Sequence, residues 1–479
     1  MKRKALIVFV ITAIFALNAS GQTVEKYSRV QIVQDLEYLY KTLEESHFNL
    51  YINTSKDVFD IEFKRIKESL PDSLSLMEVY RLFQPFASLS GLGHCSLNYP
   101  FNRLYGTYIE DGGKVFPLTV LIEKDKVLIK SNFTDTDAIV RGAELISIND
   151  HPIQEIAGNI YNYLSGESDY LKNTLLDMVS FPRMMWILEE TANSYDIKIR
   201  NIEGAIKNLT IESITAKEFE SLLSKKEKPL FQSGRTFKFI KSIAYIRPGA
   251  FMNANASGNT SEVETFEKGE FVSFIDSAFV EIYNQKSENL IIDLRNNSGG
   301  SNTFSDEMLA YFSNKPFRFY SKFSVKSSEV TKDFWKKVDD PSLEILKNQI
   351  LSHSNGQIFE VDLPYHNPRN DSLKFEGNVF VLINRYTYSQ ATLTAAMVQD
   401  YGFGILIGEE TADVPTNYGS IHQFSLKNTK IEVSYPKALI IRPNGDTTFS
   451  GTIPEYPVND NILSDEDEIL EYALDLIKN

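Results

Sequence analysis

Asn378 to Asp400 reads NVFVLINRYTYSQATLTAAMVQD, and its interpretation decides the fold. Val379 to Ile383 is an unbroken apolar run with β-branched residues, preceded by Gly377. Such a run is a strand buried on both faces, as in a parallel sheet. From Ala391 onward, Leu393, Ala395, Ala396, Met397 and Val398 follow a helical pattern. Between the two halves lies the short polar turn Arg385-Tyr386-Thr387-Tyr388-Ser389. A strand that turns directly into a helix sets a side chain beside free N–H groups, which can hold negative charge. Ser389 is thus a candidate nucleophile. Ser389 or Thr387 is equally a candidate N-cap, a position both residue types favour.

Working outward, the same arrangement recurs. Asn289 to Leu294 is a second buried strand, closed by Arg295-Asn296-Asn297-Ser298-Gly299-Gly300 and followed by a helix over Phe304 to Phe312. Ile243 to Ile246 and Ile405 to Ile407 add strands, and Phe271 to Tyr283 adds an amphipathic helix. Alternating strands and helices signal a parallel α/β layer with crossover connections. Residues 320–376 are rich in Ser, Lys, Asp and Asn and form a long excursion between two core strands, expected as a lid or rim. Asp465 to Ile477 is a closing helix with acidic residues in its first turn, as the helix dipole favours.

Upstream, Val30 to His47 and a segment opening at Ser55 have helical spacing, and Ser75 with Glu78 has the spacing of a capping box. These helices lead into the glycine-rich turn Ser90-Gly91-Leu92-Gly93-His94-Cys95-Ser96-Leu97. The period then changes to strands at 114–120, 125–129 and 143–149, and again at 195–199 and 207–214. Ile156 to Glu190 between them reads as mostly helical, with Pro182 as a break, and Lys225 to Pro229 reads as a charged linker.

Composition narrows the setting. Met1-Lys2-Arg3-Lys4, the apolar run Ala5 to Leu17 and the small residues up to Gly21 form a secretory leader over 1–21, so the chain is expected to be exported, periplasmic or extracellular. The apolar run is short for a bilayer span, and no later segment is long and apolar enough for one, so no stable membrane insertion is expected after cleavage. The single Cys95 excludes an internal disulfide framework. A net charge of −15 argues against nucleic acid or an anionic membrane as partner. With 479 residues, the chain has material for two or three domains.

In a parallel sheet, chemistry gathers at the carboxyl ends of the strands. A hydrolase there needs a nucleophile, a base and two donors for the developing oxyanion. Ser389 could supply the first, and the Gln390 N–H together with that of Gly299 or Gly300 could supply the donors. Of the six histidines, His94 sits in a glycine-rich turn and is the candidate base. No HExxH sequence or other metal-ligand spacing exists, so neither metal nor other cofactor is expected. GxSxG is absent, which sets the chain apart from ordinary α/β-hydrolases.

IIDLRNNSGG, VLINRYTYSQATLTAAMVQDYG and ILIGEETADVPTNYG together resemble the core of the C-terminal processing (tail-specific) serine peptidases, especially the tricorn-core-like branch. RGAELISINDHPI resembles the glycine turn and strand of a PDZ-like domain, and GLGHCSL the family's histidine turn. The resemblance implies a crotonase-like α/β core at 230–479, a PDZ-like mixed α+β domain at 99–222 and an N-terminal helical domain at 22–98. It implies a serine endopeptidase acting on peptides or unfolded protein tails, with Ser389 as nucleophile and His94 as base. It also implies a carboxylate near the C-terminus. Thr448 stands where a glutamate is expected, and Asp446 is the nearest acid, although Asn444-Gly445-Asp446 also reads as a hairpin turn. The family's serine–lysine arrangement departs here, since no lysine follows Gly408-Glu409-Glu410-Thr411 until Lys427, but a serine–lysine peptidase using Lys427 or Lys430 is a further alternative. A binding protein for a peptide or apolar ligand on the same fold is the alternative to an enzyme.

Overall fold

The computed structural model describes residues 25–478, apart from residues 125, 189–190, 228–229, 231–233, 256–262, 340 and 462. The expected leader over 1–21 lies outside the described residues, as do Lys228 and Pro229 of the expected linker. The protein is a mixed α/β structure.

The stretch at 378–400 forms the strand Asn378–Ile383 and the helix Gln390–Tyr401. That strand lies inside a six-stranded sheet. The order is Thr236–Ile240, Ile243–Arg247, Asn289–Asp293, Asn378–Ile383, Ile405–Gly408 and Tyr456–Pro457. The first pair is antiparallel and all later neighbours are parallel. Val379, Val381 and Ile383 pack into one apolar cluster with the helices Gly269–Gln285, Asn302–Leu309 and Gln390–Tyr401. Phe380 and Leu382 face the opposite way, against Ile469 and Ala473 of the helix Glu468–Lys478. Helices cover both faces, which is why the run is apolar at every position rather than at every second one.

A second sheet has the order Ile358–Glu360, Lys322–Lys326, Glu432–Ile441 and Asn417–Ser425, with Ser96–Leu97 pairing onto Glu432–Ile441. The excursion at 320–376 is therefore built into the fold. Lys322–Lys326 pairs with the long strand Glu432–Ile441, and the helices Glu329–Trp335 and Glu344–Ser352 follow it.

A third, antiparallel sheet runs Ile206–Glu212, Ser194–Arg200, Glu144–Ile148, Lys126–Asn132 and Leu118–Glu123. Three helices, Ile153–Tyr161, Asp169–Val179 and Phe181–Leu188, fill the gap between its sequence halves. The break lies at Ser180, at φ 84°, and not at Pro182, which sits in the first turn of the third helix, where its missing N–H costs nothing. Ala216–Lys226 is a helix capped by Thr215 and takes in the start of the expected linker. At the N-terminal side, the helices Arg29–Ser46 and Leu76–Ser88 both start in capping boxes, at Ser28/Gln31 and Ser75/Glu78. One apolar cluster joins these helices to the antiparallel sheet.

Candidate active site

Asn289–Asp293 and Asn378–Ile383 are in parallel register, with Asp293 opposite Leu382. Their carboxyl ends therefore coincide, and the two loops that leave them are stitched together. The Tyr388 N–H donates to the Asn297 carbonyl at 2.9 Å, and the Asn384 side-chain amide to Asn296 Oδ1 at 2.6 Å. Below the glycine turn, the fully buried Asp293 is held well under the usual carboxylate range, at about 2. Its burial is opposed by the charges of Arg295 and Arg247 and by their hydrogen bonds.

Ser389 stands at the N-cap position, but its side chain caps nothing. Its backbone is at φ 52°, ψ −122°, a conformation rare for a side-chain-bearing residue. The capping expectation is thus corrected for Ser389. Thr387 does not cap the helix either; its hydroxyl donates to the Leu294 carbonyl and accepts from the Asn384 N–H. Such a strained residue persists only where its surroundings over-determine it. Here Asp413 takes the Ser389 N–H on Oδ2 at 2.5 Å, and Gly299 lies against the serine. A Cβ on Gly299, at φ 84°, would come within 2.8 Å of Ser389 Cβ and 2.7 Å of the Gln390 nitrogen.

The histidine turn arrives from outside the sheet. Ser96–Leu97 anchors it on Glu432–Ile441. The Tyr388 hydroxyl donates to the Gly93 carbonyl at 3.3 Å, and the His94 ring packs on that of Tyr388 with centroids 5.3 Å apart. Ser389, His94, Gly300 and Gln390 all line one cavity of about 290 Å³. The structure thus brings together two turns from the parallel sheet and one from the N-terminal half.

It does not bring Asp446 there. Asp446 is half-buried, its carboxylate binds Thr448, and no paired strand follows its turn, so the hairpin reading is also corrected. Two other carboxylates stand near. Glu167, from the loop before Asp169–Val179, accepts the Gly93 N–H at 3.1 Å. Burial, reinforced by the charge of Asp413, pushes its carboxyl up to about 7. Asp413 is also pushed up to about 7, by burial against the pull of its backbone hydrogen bonds. Burial lowers the pKa of His94, while the charge of Glu167 raises it. His94 Nδ1, Glu167 Oε1 and Asp413 Oδ1 are all buried and, among the described residues, unpartnered. Glu167 lies in no recognisable motif. The one trace of it is Gly93, whose missing side chain lets the carboxylate approach to 3.0 Å of where a Cβ would stand. Lys427 and Lys430 sit away from this cavity, Lys427 over the Tyr38 ring and Lys430 on the Lys427 carbonyl.

No cluster of His, Cys, Asp and Glu able to hold a metal occurs among the described residues.

Residues 242–458 match the family model for peptidase family S41. A tail-specific protease of Haemophilus influenzae is 28% identical over 137 residues, covering 29% of this chain and 15% of that protein's length. The chain thus spans a small part of that relative. Mature CPAF has the same fold, with a TM-score of 0.64 at 14% identity, over 94% of this chain and 96% of that one. Its complex with lactacystin gives a TM-score of 0.63 at 13% identity, over 94% and 98%. From Ile243 to the last strand, the parallel sheet and the turns bearing Gly299 and Ser389 fall inside the family match, so residues 242–458 of this chain carry a domain that matches peptidase family S41.

Proposed function

We propose that the protein is an exported serine endopeptidase that hydrolyses peptide bonds in peptides or protein C-terminal tails by acyl transfer. One observation carries the reading: a strained, uncapped Ser389 and a buried His94 with a free ring nitrogen face a single cavity. Ser389 Oγ attacks the peptide carbonyl and passes its proton to His94. The N–H groups of Gln390 and of Gly299 or Gly300 hold the oxyanion. Collapse of the intermediate breaks the C–N bond, and His94 returns the proton to the leaving amine. Water then cleaves the acyl ester by the same path in reverse roles.

Glu167, rather than Asp446, is the acid that positions His94 and stabilises its charged form. Its support is the hydrogen bond to Gly93 and the charge coupling to the ring. Asp413 holds the serine turn by its backbone. The parallel run of strands between crossover helices supports a crotonase-like core at 230–479. The six antiparallel strands between 118 and 212 support a PDZ-like domain at 99–222, with helices at 22–98 before it. Export rests on the basic and apolar start of the chain, and no helix among the described residues is long and apolar enough to cross a membrane.

A fluorophosphonate reagent tests the reading. The folded protein should be labelled at Ser389, and the Ser389→Ala and His94→Ala variants should not. Equal labelling of Ser389→Ala, or none of the folded wild type, would move the protein to the binding class.

A further inference from the structure

The far wall of the same cavity carries a feature that acyl transfer does not use. Lys437, on Glu432–Ile441, is 4% exposed and lines the cavity with Ser389. The neighbouring strand pairs with it on both sides, Gly419 opposite Ala438 and Ile421 opposite Pro436. Between these pairs, Ser420 turns to φ 53°, and both its carbonyl and its hydroxyl oxygen accept from Lys437 Nζ at 2.7 Å. An ammonium has three N–H donors, so one is left over.

No carboxylate among the described residues pairs with this ammonium, and burial alone depresses its pKa to about 7. His422, the ionisable side chain coupled to it, is pushed down to about 4 by burial, so it stays neutral and offers no counter-charge. The surrounding wall is apolar, with Phe319, Phe323, Leu346 and Ile440. A buried, unpaired cation is costly and marks a site that expects an anion. A second donor stands beside it. Trp335 also lines the cavity, its indole Nε1 is buried and unpartnered, and Lys437 Nζ lies 5.9 Å from the ring centre. An indole nitrogen can only donate. The remaining ammonium N–H and the indole N–H, set in an apolar slot, suit the two oxygens of a carboxylate.

We propose that Lys437 and Trp335 form a carboxylate-recognition site in the substrate cleft, which selects peptides that place a terminal carboxylate or an Asp or Glu side chain on this wall. The proposal rests on the peptidase reading for the identity of the ligand as a peptide. The binding test below does not need turnover.

Equilibrium binding of fluorescent peptides to the Ser389→Ala protein, read by anisotropy, decides it. Peptides with a free C-terminus and internal Asp or Glu are compared with C-terminal amides and with Asn or Gln replacements. At least one carboxylate should strengthen binding by about tenfold or more. Loss on amidation identifies the terminus as the source; loss on Asp→Asn or Glu→Gln replacement identifies the side chain. In the Ser389→Ala background, Lys437→Met should bring the carboxylate and amide forms to equal affinity, and Lys437→Arg should keep part of the difference. Trp335→Phe should reduce the difference without abolishing it. Equal affinity for all peptides in the Ser389→Ala protein overturns the proposal even if Lys437→Met fails to fold, as does an undiminished preference in folded Lys437→Met. Carboxylate-dependent binding in a wild type that is never labelled at Ser389 would remove the peptidase reading and leave this site standing. Labelling and cleavage indifferent to the carboxylate would do the reverse.

Discussion

Replacing Gly299 by alanine probes the contact that shapes the serine turn. The added Cβ would stand 2.6 Å from the Tyr388 carbonyl oxygen, 2.7 Å from the Gln390 nitrogen and 2.8 Å from Ser389 Cβ. Ordinary contact begins near 3.4 Å, so the two turns must separate by about 0.8 Å. The atoms met are mostly backbone, which cannot swing aside as the end of a long side chain can. The positive φ of 84° adds a strain of about 1–2 kcal/mol for alanine. Overpacking of this kind costs about 1–3 kcal/mol, so the fold should lose roughly 2–5 kcal/mol in all. The chemical effect should be larger in proportion. A shift approaching 1 Å at a reacting group costs about 10²-fold in rate. The rate of fluorophosphonate incorporation at Ser389 and kcat for a peptide should both fall by about that factor, with KM little changed. Gly204→Ala is the matched control: its φ is 90°, but nothing lies within 4 Å of the added Cβ. It should lose about 1 kcal/mol in thermal unfolding and keep full labelling. Wild-type labelling in Gly299→Ala, or an equal loss in Gly204→Ala, would refute the view that this contact sets the position of Ser389.

Two further outcomes concern the acids. Glu167→Gln should lower kcat/KM by about 10²-fold and flatten the rise in activity through pH ~7 expected of the wild type, while Asp446→Asn should stay within about twofold of wild type. A fall with Asp446→Asn and none with Glu167→Gln would reverse the assignment. Stability should move against activity. Asp413 has its pKa raised from 3.8 to about 7, so the fold keeps a proton that the unfolded chain releases. That contribution is whole below the unfolded value and is lost as pH rises through about 7. Denaturant unfolding of the wild type relative to Asp413→Asn should therefore lose a few kcal/mol between about pH 4 and pH 8; a gain over that range would contradict the buried, protonated carboxyl.

Much of what surrounds Ser389 is legible in the chain itself. Val379 to Ile383 declared a doubly covered strand because apolar side chains at successive positions point to opposite faces, and both faces had to be buried. Gly299 and Gly300 declared a close approach because only glycine leaves room for one. Ser75 with Glu78 declared a helix start through a purely local pair of hydrogen bonds. These features are short-range or periodic, so the sequence alone determined the four central strands of the parallel sheet, most strands of the antiparallel sheet, most helices, the two sheet turns and the histidine turn. It misplaced what depends on distance. Glu167 reaches Gly93 across 74 positions of chain, and Asp413 reaches Ser389 across 24, with no spacing rule to announce either. Asp446 lies in a polar turn that any local reading would favour, yet the chain carries it to the surface. The same holds for residues 320–376, which looked like a loose excursion and instead pair with the strand that bears Lys437. Local patterns are set by neighbouring residues and survive in one dimension. Only the tertiary structure decided which buried carboxylate stands by the histidine and which buried lysine faces the cleft, because burial and charge pairing exist only once distant segments are packed together.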